Sequence, residues 1–68
     1  MTDIPVASRI IKGIHFSPSD GRVMLSFANG QTRVFEGVPL EAITDMVEAP
    51  SPGQHYVERF RHQYQRVA

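Results

Sequence analysis

The sequence predicts an α+β fold: a three-stranded antiparallel β-meander packed against two C-terminal α-helices. Three observations lead there. Val23, Leu25 and Phe27 alternate with Arg22, Met24 and Ser26, the two-residue period of a half-buried strand. Asn29-Gly30 follows at once, and both residues tolerate the positive φ that a tight hairpin requires. After Val38-Pro39 the period lengthens, with Leu40, Ile43, Met46 and Val47 on one helical stripe and Tyr56, Val57, Phe60 and Tyr64 on a second.

A chain of 68 residues has room for one such domain. Hydrophobic residues make up 41% and charged residues 21%, near globular averages, which argues against a disordered tail and against a membrane protein. Seven Lys+Arg balance seven Asp+Glu, so a strongly basic nucleic-acid coat is excluded, although a local patch can sit inside a neutral total. Cysteine is absent, which removes disulfides, thiolate chemistry and cysteine-based zinc sites. Met1-Thr2-Asp3-Ile4-Pro5 has neither the basic start nor the apolar run of a signal peptide, and no window approaches the ~20 apolar residues of a membrane span. A cytoplasmic protein is expected.

Along the chain, residues 1–8 carry Pro5 and little pattern and are expected as a loosely ordered N-terminal arm, with the domain proper at 9–68. The run Ile10 to Phe16 fits both helical spacing and alternation, but its β-branched content and Gly13 favour a strand. Ser17-Pro18-Ser19-Asp20-Gly21 is dense in turn formers and predicts a hairpin loop. The strand returning from Asn29-Gly30, Gln31 to Phe35, has two possible registers. A two-residue type I′ turn pairs Ala28 with Gln31, sends Val34 into the core and leaves Arg33 and Phe35 beside Met24 on the opposite face. A three-residue loop over Ala28 to Gly30 pairs Phe27 with Gln31 and brings Phe35 in with Val23 and Leu25. The sequence leaves both open.

The helices are punctuated more clearly. Pro39 suits a first helical position, where its missing N–H is no loss, and Pro50 stops the first helix. Ser51 then reads as the N-cap of the second, Pro52 as its first residue and Gln54 as the third position of a capping box. The expected core is Ile14, Phe16, Val23, Leu25, Phe27, Leu40, Ile43, Val47, Val57 and Phe60.

Charge is unevenly distributed. Glu41, Asp45 and Glu48 make the first helix acidic, whereas Arg59, Arg61 and Arg66 outnumber Glu58 after Ser51. At α-helical pitch His55, Arg59, His62 and Arg66 fall at i, i+4, i+7 and i+11, one basic stripe beside the Tyr/Phe stripe. Guanidinium groups on a rigid helix can grip phosphates, and neighbouring rings can stack bases. The default account of such a stripe is a solvated face whose basic residues complement the helix dipole. Three or four phosphate contacts to a single strand give a log–log salt slope of only about −2 to −3, so any nucleic-acid binding is expected to be weak.

Metal and catalytic signals are thin. His55, Glu58 and His62 share a helix side, but the two imidazoles are ~10 Å apart by helix rise, too far to ligate one ion without distortion. A site would need His15, His55 and Glu58 to converge. The serines lack a nucleophile-elbow context, Ser51 is explained as a cap, and no phosphate loop or Gly-rich nucleotide fingerprint is present. No catalytic residue, metal or cofactor is expected.

A family resemblance narrows this. Ile11, Ile14 and Phe16, then Leu25-Ser26-Phe27, Asn29-Gly30, Gly37-Val38-Pro39, Ala49-Pro50-Ser51-Pro52-Gly53 and finally Tyr56, Phe60-Arg61 and Tyr64 resemble the KTSC domain. That domain is named for its occurrence at the C-terminus of some lysyl-tRNA synthetases, and it also occurs as small single-domain bacterial and phage proteins. The resemblance runs from Ile11 to Tyr64. The central Tyr-x-Tyr of the family falls on Arg33-Val34-Phe35 here, so one aromatic is kept without its hydroxyl and the other is an arginine. RNA binding is what the company of a tRNA-charging enzyme implies.

The functional expectation is a small non-enzymatic binding module for RNA. Its candidate contacts are Arg33, Phe35, His55, Arg59, His62, Tyr64 and Arg66. The alternative is a protein-interaction or homo-oligomerisation module without nucleic-acid affinity, in which the acidic first helix docks on the basic second helix of another copy. No membrane partner is expected.

Overall fold

A computed structural model describes residues 2–68. The strands are β1 (Thr2–Ile4), β2 (Ile11–Ser17), β3 (Arg22–Phe27), β4 (Thr32–Glu36) and β5 (Gln65–Arg66), paired antiparallel in sequence order in a single sheet. Between β4 and β5 the chain forms two helices, α1 (Leu40–Glu48) and α2, which runs over 52–63 in three joined pieces. Those pieces are an α-helical turn at Pro52–His55, a π-helical turn at Tyr56–Phe60 and a closing turn at Arg61–Gln63. The α+β class is as expected, with β2, β3 and β4 as the central meander. The sheet has five strands rather than three.

Both additional strands lie at the sheet edges and have too little pattern to announce themselves. Thr2–Ile4 falls in the stretch expected as a loose arm, yet it pairs with β2 in the register Thr2↔Phe16, Asp3↔His15, Ile4↔Ile14. The Asp3 carboxylate also meets His15 Nδ1 across that pair. Met1, the first residue of the expected arm, lies outside the described residues. At the other edge, Arg66 pairs with Phe35 and Gln65 with Glu36. Here Tyr64, at φ −126° and ψ 150°, has already left the helix.

The hairpin register is that of the three-residue loop. The Phe27 N–H donates to the Gln31 carbonyl and the Gly30 N–H to that of Phe27, with Gly30 at φ +86°. That bulge sets Phe35 opposite Val23 and Arg33 opposite Leu25, on the helix-covered side. A second irregularity, between Ile11 and Gly13 in β2, lets both Ile11 and Ile14 reach that same side.

The core is Ile11, Ile14, Phe16, Val23, Leu25, Phe35, Val38, Ile43, Met46 and Phe60. Phe27 and Val47, expected in it, are partly buried against its margin. Leu40 and Val57 are corrections: they are 56% and 44% exposed. Leu40 opens α1, whose buried residues are Ile43 and Met46. Val57 is turned outward by the wider π-helical turn, which separates it from the side carrying Phe60.

The helix boundaries follow their punctuation. Pro39 is the N-cap of α1 rather than its first residue, at ψ 153°. Ala49 is extended at ψ 149°, as the residue before a proline must be, and α1 ends there. Ser51 caps α2, its Oγ accepting the Gln54 N–H at 3.4 Å. The capping box stays half-made, because the Gln54 side chain donates to Glu58 Oε1 at 3.2 Å instead of turning back. Gly53 is buried where α2 crosses the start of β2, and a Cβ there would stand 2.7 Å from Ile10 Cδ1.

Candidate nucleic-acid interface

Where the free end of β4 meets α2, the fold leaves an open cleft of about 350 Å3. Its cations come from three separate elements, Arg33 on β4, Arg66 on β5 and Arg61 on α2, and its floor is Phe27, Phe35 and Tyr56. Gln31 closes the rim.

Each arginine is placed by main-chain geometry. Arg33 sits two positions before Phe35, so strand alternation puts both on the helix side. The Arg33 guanidinium is held in plane, with Nη2 donating to Gln31 Oε1 at 2.6 Å and Nη1 to the Thr32 carbonyl at 2.9 Å. Arg66 faces the cleft because it opposes Phe35 in the sheet, and its Nε donates to the Ala68 main-chain oxygen at 3.1 Å. Arg61 arrives through the π-helical turn: its main-chain N–H reaches back to the Tyr56 carbonyl, which stacks residue 61 over residue 56.

Among the described residues, none of these three arginines has an Asp or Glu carboxylate within 4.0 Å; the ion pairs lie elsewhere, between Asp3 and His15 and between Arg22 and Glu36. Like charges gathered without counter-ions raise the local potential and favour an incoming anion. Guanidinium forks match phosphate oxygens in pairs and also stack on planar rings. The floor is packed ring against ring, with centroids 5.1 Å apart for Phe27–Tyr56, 6.0 Å for Phe35–Tyr56, 5.3 Å for Phe35–Phe60 and 5.0 Å for Phe60–Tyr64.

The residues singled out in the sequence divide among different places. Arg33, Phe35 and Arg66 come together in the cleft, but Phe35 is only 1% exposed and serves as floor, not as a platform on the free sheet face. Arg66 is not on the helix, so the four-residue basic stripe does not form. His55, Arg59 and Tyr64 line a second cleft of about 240 Å3, facing Glu41 and Asp45 of α1. His62 is exposed and borders neither cleft.

Sequence reasoning missed Tyr56 and Gln31 as cleft residues and took Arg61 only as charge. The reason is the pitch of α2. Residues 56 and 61 are about 140° apart on an α-helix and cannot share a side, whereas an i→i+5 turn aligns them. Nothing in Tyr56-Val57-Glu58-Arg59-Phe60 signals that turn, since Tyr56 and Phe60, at i and i+4, share a side of an α-helix as well.

Among the described residues, no group of three or more His, Asp or Glu side chains is arranged to hold a metal ion, and no helix is long and apolar enough to cross a membrane. Away from the cleft, in the turn between β2 and β3, the Asp20 carboxyl is held below its ordinary range by the Arg22 N–H, which it accepts at 3.0 Å, and by the Ser17 side chain.

Fold and site together define a small α+β module with an arginine-lined cleft at one sheet edge. Its place among known proteins is specific: the chain belongs to the KTSC domain family, whose model matches residues 7–64. No curated protein matches it. Among solved structures it is similar to a KTSC domain protein from Yersinia pestis, with a TM-score of 0.82 at 23% identity over 97% of this chain and 93% of that one. That likeness concerns the fold.

Proposed function

We propose that this domain is a small non-enzymatic RNA-binding module of the cytoplasm, and that its interface is the cleft between β4, β5 and α2. One observation carries the reading: Arg33, Arg61 and Arg66 converge around a half-buried tyrosine, and among the described residues none of them has an Asp or Glu carboxylate within 4.0 Å. Cations supply affinity for the backbone and the ring offers a surface for bases, the pairing that RNA modules use. The cleft is lined by Arg, Gln, Tyr and Phe, and the His, Asp, Glu, Lys, Ser and Cys side chains that most often serve as general acid–base or nucleophile are not among its lining residues.

The rival, docking of an acidic α1 on the basic α2 of another copy, has less to support it. Glu41 and Asp45 line the second cleft together with His55 and Arg59 of the same chain, so the acidic and basic residues are neighbours in one molecule rather than two separate faces.

Titration of isotope-labelled protein with a mixed-sequence oligoribonucleotide at low salt tests the proposal. Shift changes should gather at Arg33, Tyr56, Arg61 and Arg66, with a log–log salt slope of about −2 for three phosphate contacts. Unchanged spectra at millimolar RNA would falsify it.

A further inference from the structure

We infer that the cleft receives one unstacked nucleotide of a single strand, its base against Tyr56 and its flanking phosphates on Arg33, Arg61 and Arg66, and that the domain thereby selects single strands over duplex. This rests on the RNA reading above and specifies which form of RNA is bound.

The recess is the first reason. At about 350 Å3 it lies between a sheet edge and a helix and is a concavity of small-ligand size. A base inside a duplex has both faces covered by its neighbours, so only an unstacked base can enter and meet the ring.

Tyr56 is built for that contact. Its ring packs on Phe27 at 5.1 Å and on Phe60 at 6.1 Å, and its remaining surface lines the cleft. A ring already fixed by packing loses little further freedom when a base stacks on it. The π-helical turn brings Arg61 to the same cleft as this ring, so a planar surface and a cation line one recess. Arg33, pinned by Gln31 and Thr32, offers its guanidinium in a fixed plane.

Scale is the second reason. Recognition of duplex RNA by shape needs contacts across successive grooves over about 16 base pairs. This domain measures 28 × 23 × 21 Å, and three of its arginines, Arg33, Arg61 and Arg66, are gathered in one recess rather than spread along a face.

The test uses the full chain at low salt and three labelled ligands: a short mixed-sequence single-stranded oligoribonucleotide, an abasic strand of equal length, and the blunt duplex of the same sequence. Fluorescence anisotropy should give the intact strand an affinity roughly five- to a hundredfold above the abasic strand, and about tenfold or more above the duplex. Tyr56→Leu should bring the intact strand down to the abasic value, and Tyr56→Trp should keep the preference; because the abasic strand leaves the protein unaltered, the test stands even where a Tyr56 variant folds poorly. Equal affinity for intact and abasic strands, or for strand and duplex, overturns the single-nucleotide inference and leaves RNA binding standing. Failure to bind any strand overturns both.

Discussion

The main-chain N–H of Arg61 reaches back five residues to the carbonyl of Tyr56. That bond marks a π-helical turn, and it decides which side chains of α2 face the cleft. With α-helical spacing the cationic side would run through His55, Arg59 and His62. With the wider turn, Arg61 joins Arg33 and Arg66, while Arg59 turns to the acidic residues of α1.

The two arginines are therefore expected to differ in binding. Arg61→Gln should weaken oligoribonucleotide binding and lower the log–log salt slope by about 0.7, the share of one phosphate contact on a single strand. Arg59→Gln should leave the slope near its wild-type value. Affinities measured over a salt series check this, and a larger loss at Arg59 would move the interface to the second cleft.

Phe35 is the core's clearest single support, facing Val23 across the sheet and Phe60 edge-on at 5.3 Å. Phe35→Ala should cost about 3–5 kcal/mol. A domain this small draws on about 3–5 kcal/mol of net stability, so the variant should be largely unfolded at room temperature. Phe35→Leu, which keeps most of the volume, should cost about 1–2 kcal/mol, read as a lower urea midpoint at an unchanged m-value. An unaltered midpoint in Phe35→Ala would favour the other hairpin register.

Two turn glycines separate backbone strain from crowding. Gly30, at φ +86°, has nothing within 4 Å of a built Cβ. Gly30→Ala should therefore show only the left-handed penalty, about 1 kcal/mol, or roughly 4–8 °C in Tm. Gly21, at φ +70°, would carry a Cβ 3.1 Å from the Val38 nitrogen and 3.3 Å from its carbonyl oxygen. Gly21→Ala should lower Tm distinctly further, since that backbone also bonds Gly21 through the Val38 N–H at 2.9 Å. Equal melting points would show that the β2–β3 turn yields freely.

Acid should loosen that turn. The folded Asp20 pKa lies below the ordinary 3.8, chiefly because the carboxylate accepts the Arg22 N–H. A depressed carboxylate pKa means that the stabilisation is fully present above the unfolded value and is lost as pH falls through the folded one. Carboxyl NMR titration should place the Asp20 midpoint lower in the folded protein than in the urea-unfolded chain, and Asp20→Asn should remove that part of the acid dependence. Coincident midpoints would be the contrary result.

Legibility in the sequence followed interaction range. Arg22–Phe27 was readable because alternation is written every second residue, and α1 because Pro39 and Pro50 bracket its apolar stripe. Arg33 and Arg66 were readable as candidate contacts, but their meeting was not. Arg33 reaches the helix side only because a three-residue loop was chosen over a two-residue one, and Arg66 only because β5 pairs with β4.

By itself the sequence determined the α+β class, the order of the main strands and helices, the turn positions and the family resemblance. These depend on periodicity and on the local φ/ψ demands of Gly, Pro and Asn, which neighbours in the chain settle among themselves. Tertiary structure decided the rest: the edge strands Thr2–Ile4 and Gln65–Arg66, the burial of Phe35, and the turn that carries Arg61 to Tyr56. Each depends on hydrogen-bond partners or packing surfaces supplied from distant parts of the chain. A three-residue strand or a widened helical turn has no period of its own, and it exists only once the core that receives it has formed.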